Sequence, residues 1–320
     1  MTATKVAYSI DEVRSWAPKD AAVTLGVFDG VHLGHKAIIR DLLDSSKSSG
    51  GCYLITFDPH PLVVTHSRMT PPLLTTLDER VDLLSRFDLD GILVLKFDDD
   101  LADVEYRDFI RKYLLRGLNM KRLVLGYDCY FGKNREGSPD RVKSESAKLG
   151  FECRIVPAVR NHQEAISSTK IRNALMEGDV PEANRLLGHP YLVKGEVVRG
   201  HGKGSDLGFP TANLAIRDPY KLWPPRGVYA VEARYGSREL RGMMNVGTAP
   251  TIKSPDEDAN TIEVHLFDFD EDIYGEDLWV GCQAYLREER EFPSPEALAG
   301  QLEEDKSRAL ELLLGTSQQG

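Results

Sequence analysis

The sequence has little cysteine: four residues in 320 (Cys52, Cys129, Cys153 and Cys282), with no CxxC pair and no zinc-ligand spacing. Cys52 and Cys153 fall in apolar, strand-like runs, where a buried, reduced thiol is expected. No apolar run reaches membrane-spanning length, and the first residues, MTATKVAYSIDEVRSW, lack the basic-then-apolar order of an export signal. A reducing cytoplasm is the expected location. Positive charge is in deficit, with 40 Lys and Arg against 50 Asp and Glu and a formal net charge of -10. That balance argues against a general electrostatic affinity for nucleic acid or for an anionic membrane. The acidity is dispersed apart from FDDD (97–100) and FDFDEDIYGED (267–277), which read as solvated surface. No GxxxxGK[ST] occurs, which excludes a P-loop kinase. Internal repeats and low-complexity linkers are also missing.

What is present divides in two. Up to about residue 160, short apolar runs alternate with helix-like segments. AAVTLGVF (21–28), CYLITF (52–57), GILVLKF (91–97), RLVLGY (122–127) and CRIVPAV (153–159) are separated by KAIIRDLLDSS (36–46), LDERVDLLSRF (77–87), VEYRDFIRKYLLR (104–116) and RVKSESAKLG (141–150). That order predicts a parallel sheet with helices on both faces, whose site lies at the carboxyl ends of the strands. GVFDGVHLGH, FDPHP and GYDCYFG all fall at such ends. After the helical stretch 168–188, glycine, proline and short alternating segments take over: YLVKGEVV, GVYAVEARY, RELRGMMNVG, NTIEVHLFDF and DLWVGCQAYLR. These predict an antiparallel barrel or sandwich, followed by an amphipathic helix from about Pro295 to Leu314. The expected domains are 1–186 and 187–320.

GVFDGVHLGH (26–35) admits three chemistries. Zinc would want a third ligand and usually another spacing, and a covalent route would want a serine or cysteine nucleophile beside a base; the stretch offers neither. A phosphate cradle needs only glycines that let the backbone approach, the free N–H groups of a helix start, and His32 and His35 beside them. AISSTKIR (165–172) adds hydroxyls and two cations, Lys170 and Arg172, at another helix start; a simple N-cap is compatible with the same residues.

In the second half, VVRGHGKGSDLGFPTANL (197–214) joins a glycine-rich loop to PTAN. Glycines give backbone access to phosphate, and Thr211 and Asn213 offer neutral oxygens that suit Mg²⁺ shared with nucleotide phosphates. A glycine-rich hairpin with a proline turn accounts for the same stretch. Glu263, on an alternating strand, fits a solvent-facing residue or a general base equally well.

The set GVFDGVHLGH, TFDPHP, LGYDCYFGKNREG and ISSTKIR resembles the N-terminal domain of the bacterial bifunctional riboflavin kinase/FAD synthetases. LGFPTANL, GVYAV, NVGTAPTI, TIEVHLFDFDEDIYG and the tail LREEREFPSPEALAGQLEED are similar, in order, to the riboflavin kinase domain of the same family. The resemblance implies a Rossmann-like nucleotidylyltransferase domain followed by a Greek-key β-barrel with a terminal helix. It implies that riboflavin and ATP give FMN in the barrel domain, and that FMN and ATP give FAD and pyrophosphate in the N-terminal one, with Mg²⁺ as cofactor. By the same resemblance His32 and His35 stabilise the phosphates under attack, and Gly26, Phe28 and Asp29 line the ATP pocket. Ser168, Thr169 and Arg172 hold the triphosphate, while Phe57, Asp58, Pro59 and Asp128 lie on the flavin side. In the kinase, Gly202, Lys203 and Gly204 contact phosphate, Thr211 and Asn213 hold the magnesium–nucleotide, and Glu263 deprotonates the ribityl hydroxyl. Two departures are visible: Cys129 stands where many relatives have an aromatic, and Ser205-Asp206 stand where many have a basic residue, with Lys203 nearby. Other expectations would be a different phosphorylated substrate for the N-terminal domain, or a flavin-binding regulator without turnover. Oligomeric state is not readable from the sequence.

Overall fold

A computed structural model describes residues 4–16, 19–47, 50–65, 70–161, 164–200, 208–248 and 260–316. The chain divides into two compact units, Met1–Ser168 and Thr169–Gly320.

The first unit carries a six-stranded parallel sheet formed by β1 (Lys5–Ala7), β2 (Ala21–Leu25), β3 (Cys52–Asp58), β4 (Gly91–Lys96), β5 (Met120–Gly126) and β6 (Glu152–Val156). Their spatial order is β1-β4-β3-β2-β5-β6. A small ladder pairs β7 (Arg160–Asn161) with β8 (Glu164–Ala165). The helices are α1 (Ile10–Arg14), α2 (Leu33–Ser46), α3 (Pro61–Thr65), α4 (Leu77–Ser85), α5 (Asp99–Ala102), α6 (Tyr106–Phe109) and α7 (Pro139–Leu149). The single helix expected over 104–116 is α6 followed by a π-turn over Ile110–Leu115. All five residues of β2 are buried, as a strand covered on both faces requires. Val23, Leu25, Ile55, Leu93 and Leu123 point to one face, where Phe109, Ile110 and Leu114 cover them; α2 packs on β2 and β5 and α4 on β4. Each of these aliphatic side chains contributes about 2 kcal/mol by leaving water. β2 neighbours both β3 and β5, so the strand that feeds the glycine-rich turn is central and rigid.

The second unit begins within α8 (Ser168–Met176), which with α9 (Val180–Leu187) leads into a closed six-stranded barrel. Its strands are β9 (Tyr191–Val198), β10 (Ala212–Ala215), β11 (Gly227–Tyr235), β12 (Arg238–Thr248), β13 (Asn260–Leu266) and β14 (Asp277–Arg287), and α10 (Pro295–Thr316) follows. All pairs are antiparallel, in the order β10-β13-β12-β11-β14-β9. β11, β12 and β13 form a meander and β14 returns beside β11, which is a Greek key. Alternation sends Tyr191, Val193, Leu214, Tyr229, Met244 and Val264 inward. The outer face of β11 and β12 is apolar too, and α10 covers it: Val228, Ala230 and Met243 join Phe267, Leu286, Ala309 and Leu313 in one cluster. Arg287 fixes the helix there, its Nε and Nη2 donating to both carboxylate oxygens of Asp305 at 2.7–3.0 Å.

Candidate functional sites

The turn after β2 holds backbone conformations that L-residues rarely adopt: Phe28 (φ 57°), Gly30 (φ 80°) and Val31 (φ 40°). A β-branched residue at positive φ is strained and needs outside support. Asp29 supplies it. Its buried carboxylate accepts from Leu74 N (3.1 Å), Thr75 N (2.9 Å) and Thr75 Oγ1 (3.1 Å), while Gly30 N donates to Thr75 Oγ1 at 3.0 Å. Thr75 is in turn steadied by a capping box at the start of α4, between Thr76 and Glu79. Asp29 therefore shapes the turn, and its carboxylate is occupied with backbone and hydroxyl donors.

The turn delivers His32 as N-cap of α2, where its Nδ1 accepts from His35 N at 3.3 Å. The two imidazoles stack with centroids 3.6 Å apart at 16°, and Phe28 meets His35 edge-on at 5.1 Å. A Cβ on Gly34 would lie 3.0 Å from His32 Cε1 and 3.1 Å from its Nδ1. Glycine at that position thus gives the His32 ring its space. Burial, the adjacent His32 and the charge of Arg80 hold the His35 pKa well below its ordinary 6.5, and His35 Nδ1 is buried without a hydrogen-bond partner. Ser168 Oγ donates to the Asp29 carbonyl at 3.1 Å, and the Ile166 carbonyl lies 3.7 Å from the Cβ position of Gly34. Residues 166–168 and the histidine turn are accordingly neighbours. Thr169 and Arg172 continue along α8, with Arg172 buried.

Gly26 follows the end of β2, where a Cβ would meet the Phe28 ring at 3.2 Å. Phe57 and Asp58 end β3, and Pro59 follows. Phe57 is buried edge-on to Phe97. Beneath them lies Arg80, 2% exposed, with Nη2 donating to the Phe57 carbonyl at 2.8 Å and lying 4.0 Å from Asp58 Oδ1. Asp128 is exposed just past β5. Cys129 donates to the Leu25 carbonyl (3.3 Å), and burial pushes its thiol pKa up to about 12. Thr75 and Arg80 are site-building residues that no motif marks; the Thr-x-x-Glu capping box at 76–79 is the nearest pointer to them.

In the barrel, register builds the site. Asn213 on β10 and Asn245 on β12 both stand opposite Glu263 of β13. Direct partners share a face, so the three form one row outside the barrel, continuous with Val228 under α10. Thr211 Oγ1 donates to Glu263 Oε2 at 3.5 Å, and Asn245 Nδ2 donates to Glu289 Oε1 at 3.3 Å. A hydroxyl, an amide oxygen and a carboxylate on one face are hard oxygen donors, and such a set fits Mg²⁺ shared with phosphates. No group of three or more His, Cys, Asp or Glu suited to a metal occurs among the described residues, so protein side chains alone do not form a carboxylate cage there. Gly202, Lys203, Gly204 and the departure at Ser205-Asp206 lie outside the described residues.

A strained glycine turn carrying paired histidines on a parallel sheet, with a separate barrel carrying oxygen donors and a carboxylate, defines a two-domain transferase of phosphorus-containing groups. The FAD synthetase family model matches residues 14–170 and the riboflavin kinase model residues 187–313. The bifunctional riboflavin kinase/FMN adenylyltransferase of Listeria monocytogenes is 37% identical over 294 residues, 91% of this chain and 92% of that one. The protein of the same description from Escherichia coli K12 is 34% identical over 300 residues, covering 93% and 94%. The chain belongs to the bifunctional riboflavin kinase/FMN adenylyltransferase family. A crystal structure from Streptococcus pneumoniae described as a macrolide-efflux protein is 31% identical, with a TM-score of 0.82 over 96% of this chain and 98% of that one. The efflux in that description is said of that protein. Among the described residues here, no helix is long and apolar enough to cross a membrane.

Proposed function

We propose that this chain makes FMN from riboflavin and ATP in residues 187–320, and FAD from FMN and ATP in residues 1–186. The observation that supports the reading is that each unit carries a polar side-chain cluster of its own. One has the His32–His35 stack at a helix start and the other has the Thr211–Glu263–Asn213 face.

In adenylylation, a phosphate oxygen of FMN attacks the α-phosphorus of ATP, and the bond to pyrophosphate breaks. No side chain forms a covalent intermediate. His32 and His35 stabilise charge on the phosphate oxygens as it builds, which is the largest contribution a preorganised site makes to such a reaction. Burial lowers the His35 pKa, which favours a neutral ring that donates a hydrogen bond. Ser168, Thr169 and Arg172 hold the triphosphate. Gly26, Phe28 and the turn shaped by Asp29 border the ATP, and Phe57, Asp58, Pro59 and Asp128 border the flavin.

In the kinase, the Glu263 carboxylate accepts the proton of the ribityl hydroxyl as its oxygen attacks the γ-phosphorus and ADP departs. Thr211 and Asn213 would hold Mg²⁺, which supplies charge neutralisation on the phosphate oxygens when bound. Gly202, Lys203 and Gly204 contact the nucleotide phosphates. A cytoplasmic location suits both substrates and the reduced cysteines.

The test is a single incubation of the purified chain with riboflavin, ATP and Mg²⁺, with products resolved by chromatography. Both FMN and FAD are expected. FMN alone would give the N-terminal domain another phosphorylated substrate, and neither product would make the chain a binding protein.

A further inference from the structure

β13 carries a second polar side chain on the face of Glu263. His265, two residues along, is 8% exposed, and its Nδ1 lies 2.8 Å from the carbonyl oxygen of Pro210. A carbonyl can only accept, so Nδ1 bears the hydrogen and donates. The ring is wedged edge-on between Phe209 (5.1 Å) and Phe267 (5.7 Å), which fixes its orientation. Pro210 is the first residue of PTAN. Its ring already locks φ, and a hydrogen bond to its carbonyl fixes ψ as well. With both soft torsions set, the peptide plane entering Thr211 has one orientation.

The register completes the picture. Ala212 stands opposite Val264 and Asn213 opposite Glu263; the same register, carried one pair further, sets Thr211 opposite His265. We propose that His265 is a positioning residue for the kinase: by pinning the Pro210 carbonyl it aims Thr211 and Asn213 at the magnesium–nucleotide, beside the base on its own strand. The inference rests on the assignment of Thr211 and Asn213 given above. His265 itself touches no reacting atom.

The test uses the full chain, with FAD formation from supplied FMN as an internal measure of intact protein. His265→Phe keeps an aromatic wedge and removes the donor. His265→Asn offers an amide N–H near the place of Nδ1. For His265→Phe the KM for MgATP in FMN formation is expected to rise about tenfold, the worth of one lost hydrogen bond in a site, with kcat changed less than the KM. His265→Asn is expected to recover most of it. A second readout needs no turnover: backbone amide hydrogen exchange over 208–215 is expected to quicken in His265→Phe, to return in His265→Asn, and to stay unchanged in β11 and β14. An unchanged KM and unchanged exchange in His265→Phe overturn the proposal. So does equal loss in both variants with faster exchange throughout the barrel, which is a role in stability only. Thr211→Val tests the underlying assignment separately. If it leaves the KM for MgATP unaltered the magnesium assignment fails, whereas a raised KM in Thr211→Val with none in His265→Phe sinks only the role of His265.

Discussion

The two candidate sites are built on opposite plans. In the parallel sheet, the paired histidines and the strained turn that delivers them sit in ten consecutive residues, and the fold's work is to hold that turn. In the barrel, Asn213, Asn245 and Glu263 come from three strands and meet only because their registers agree, with Thr211 just ahead of β10. The first plan concentrates information in sequence and risk in a few hydrogen bonds, above all those of Asp29 and Thr75. The second spreads both over a closed ladder. Strain at a turn needs local over-determination, whereas a cross-strand row needs only that the pairing not slip.

The sharpest way to break this comparison is to silence each site alone. Glu263→Gln should lower FMN formation by at least about 10³-fold, within the range for a lost general base, while FAD formation from supplied FMN persists. His32→Ala with His35→Ala should do the reverse. If either change stops both steps in a folded chain, the sites are not separate.

Next in size is the support of the turn. Asp29→Ala leaves two buried N–H groups and the Thr75 hydroxyl without their acceptor, and should destabilise the first unit by about 3 kcal/mol. Thermal unfolding reads the loss, and FMN formation should survive it. A smaller effect comes from His35. In the folded unit it stays neutral well below 6.5, whereas the unfolded chain takes up a proton near that value. Acidification from pH 7 to 5 therefore favours the unfolded state, by up to about 1.4 kcal/mol per pH unit. Denaturation of wild type and His35→Gln at both pH values should show a shallower slope in the variant. The smallest effect concerns Cys129: with its thiol pushed up to about 12, it should react with iodoacetamide at pH 8 far more slowly than an exposed cysteine, as peptide mass spectrometry would measure.

The same contrast explains what the sequence made legible. The parallel sheet, the barrel and the terminal helix follow from periodicity, and the glycine–histidine turn announces itself because its residues are contiguous. Asp29 was readable as part of that turn, but its partner Thr75 is 46 residues away and carries no pattern. Arg80 looks like any charged position on an amphipathic helix, yet it is buried under Phe57. Asn245 and His265 are invisible for another reason: a one-residue slip in pairing would turn either to the opposite face. Only the observed register decides that they stand beside Glu263 and Pro210.

The closure of the barrel carries a consequence in time. β9 pairs with β14, so Glu196 waits for Asp277, 81 residues later in the chain. The six-stranded parallel sheet of the first unit has all its strands by Val156. During synthesis the adenylyl-transfer fold can assemble while the kinase ladder still has two open edges, which makes the later half the slower and more aggregation-exposed part of the molecule to produce. A ribosome stalled before residue 287 would release a chain with one finished workshop and the walls of another.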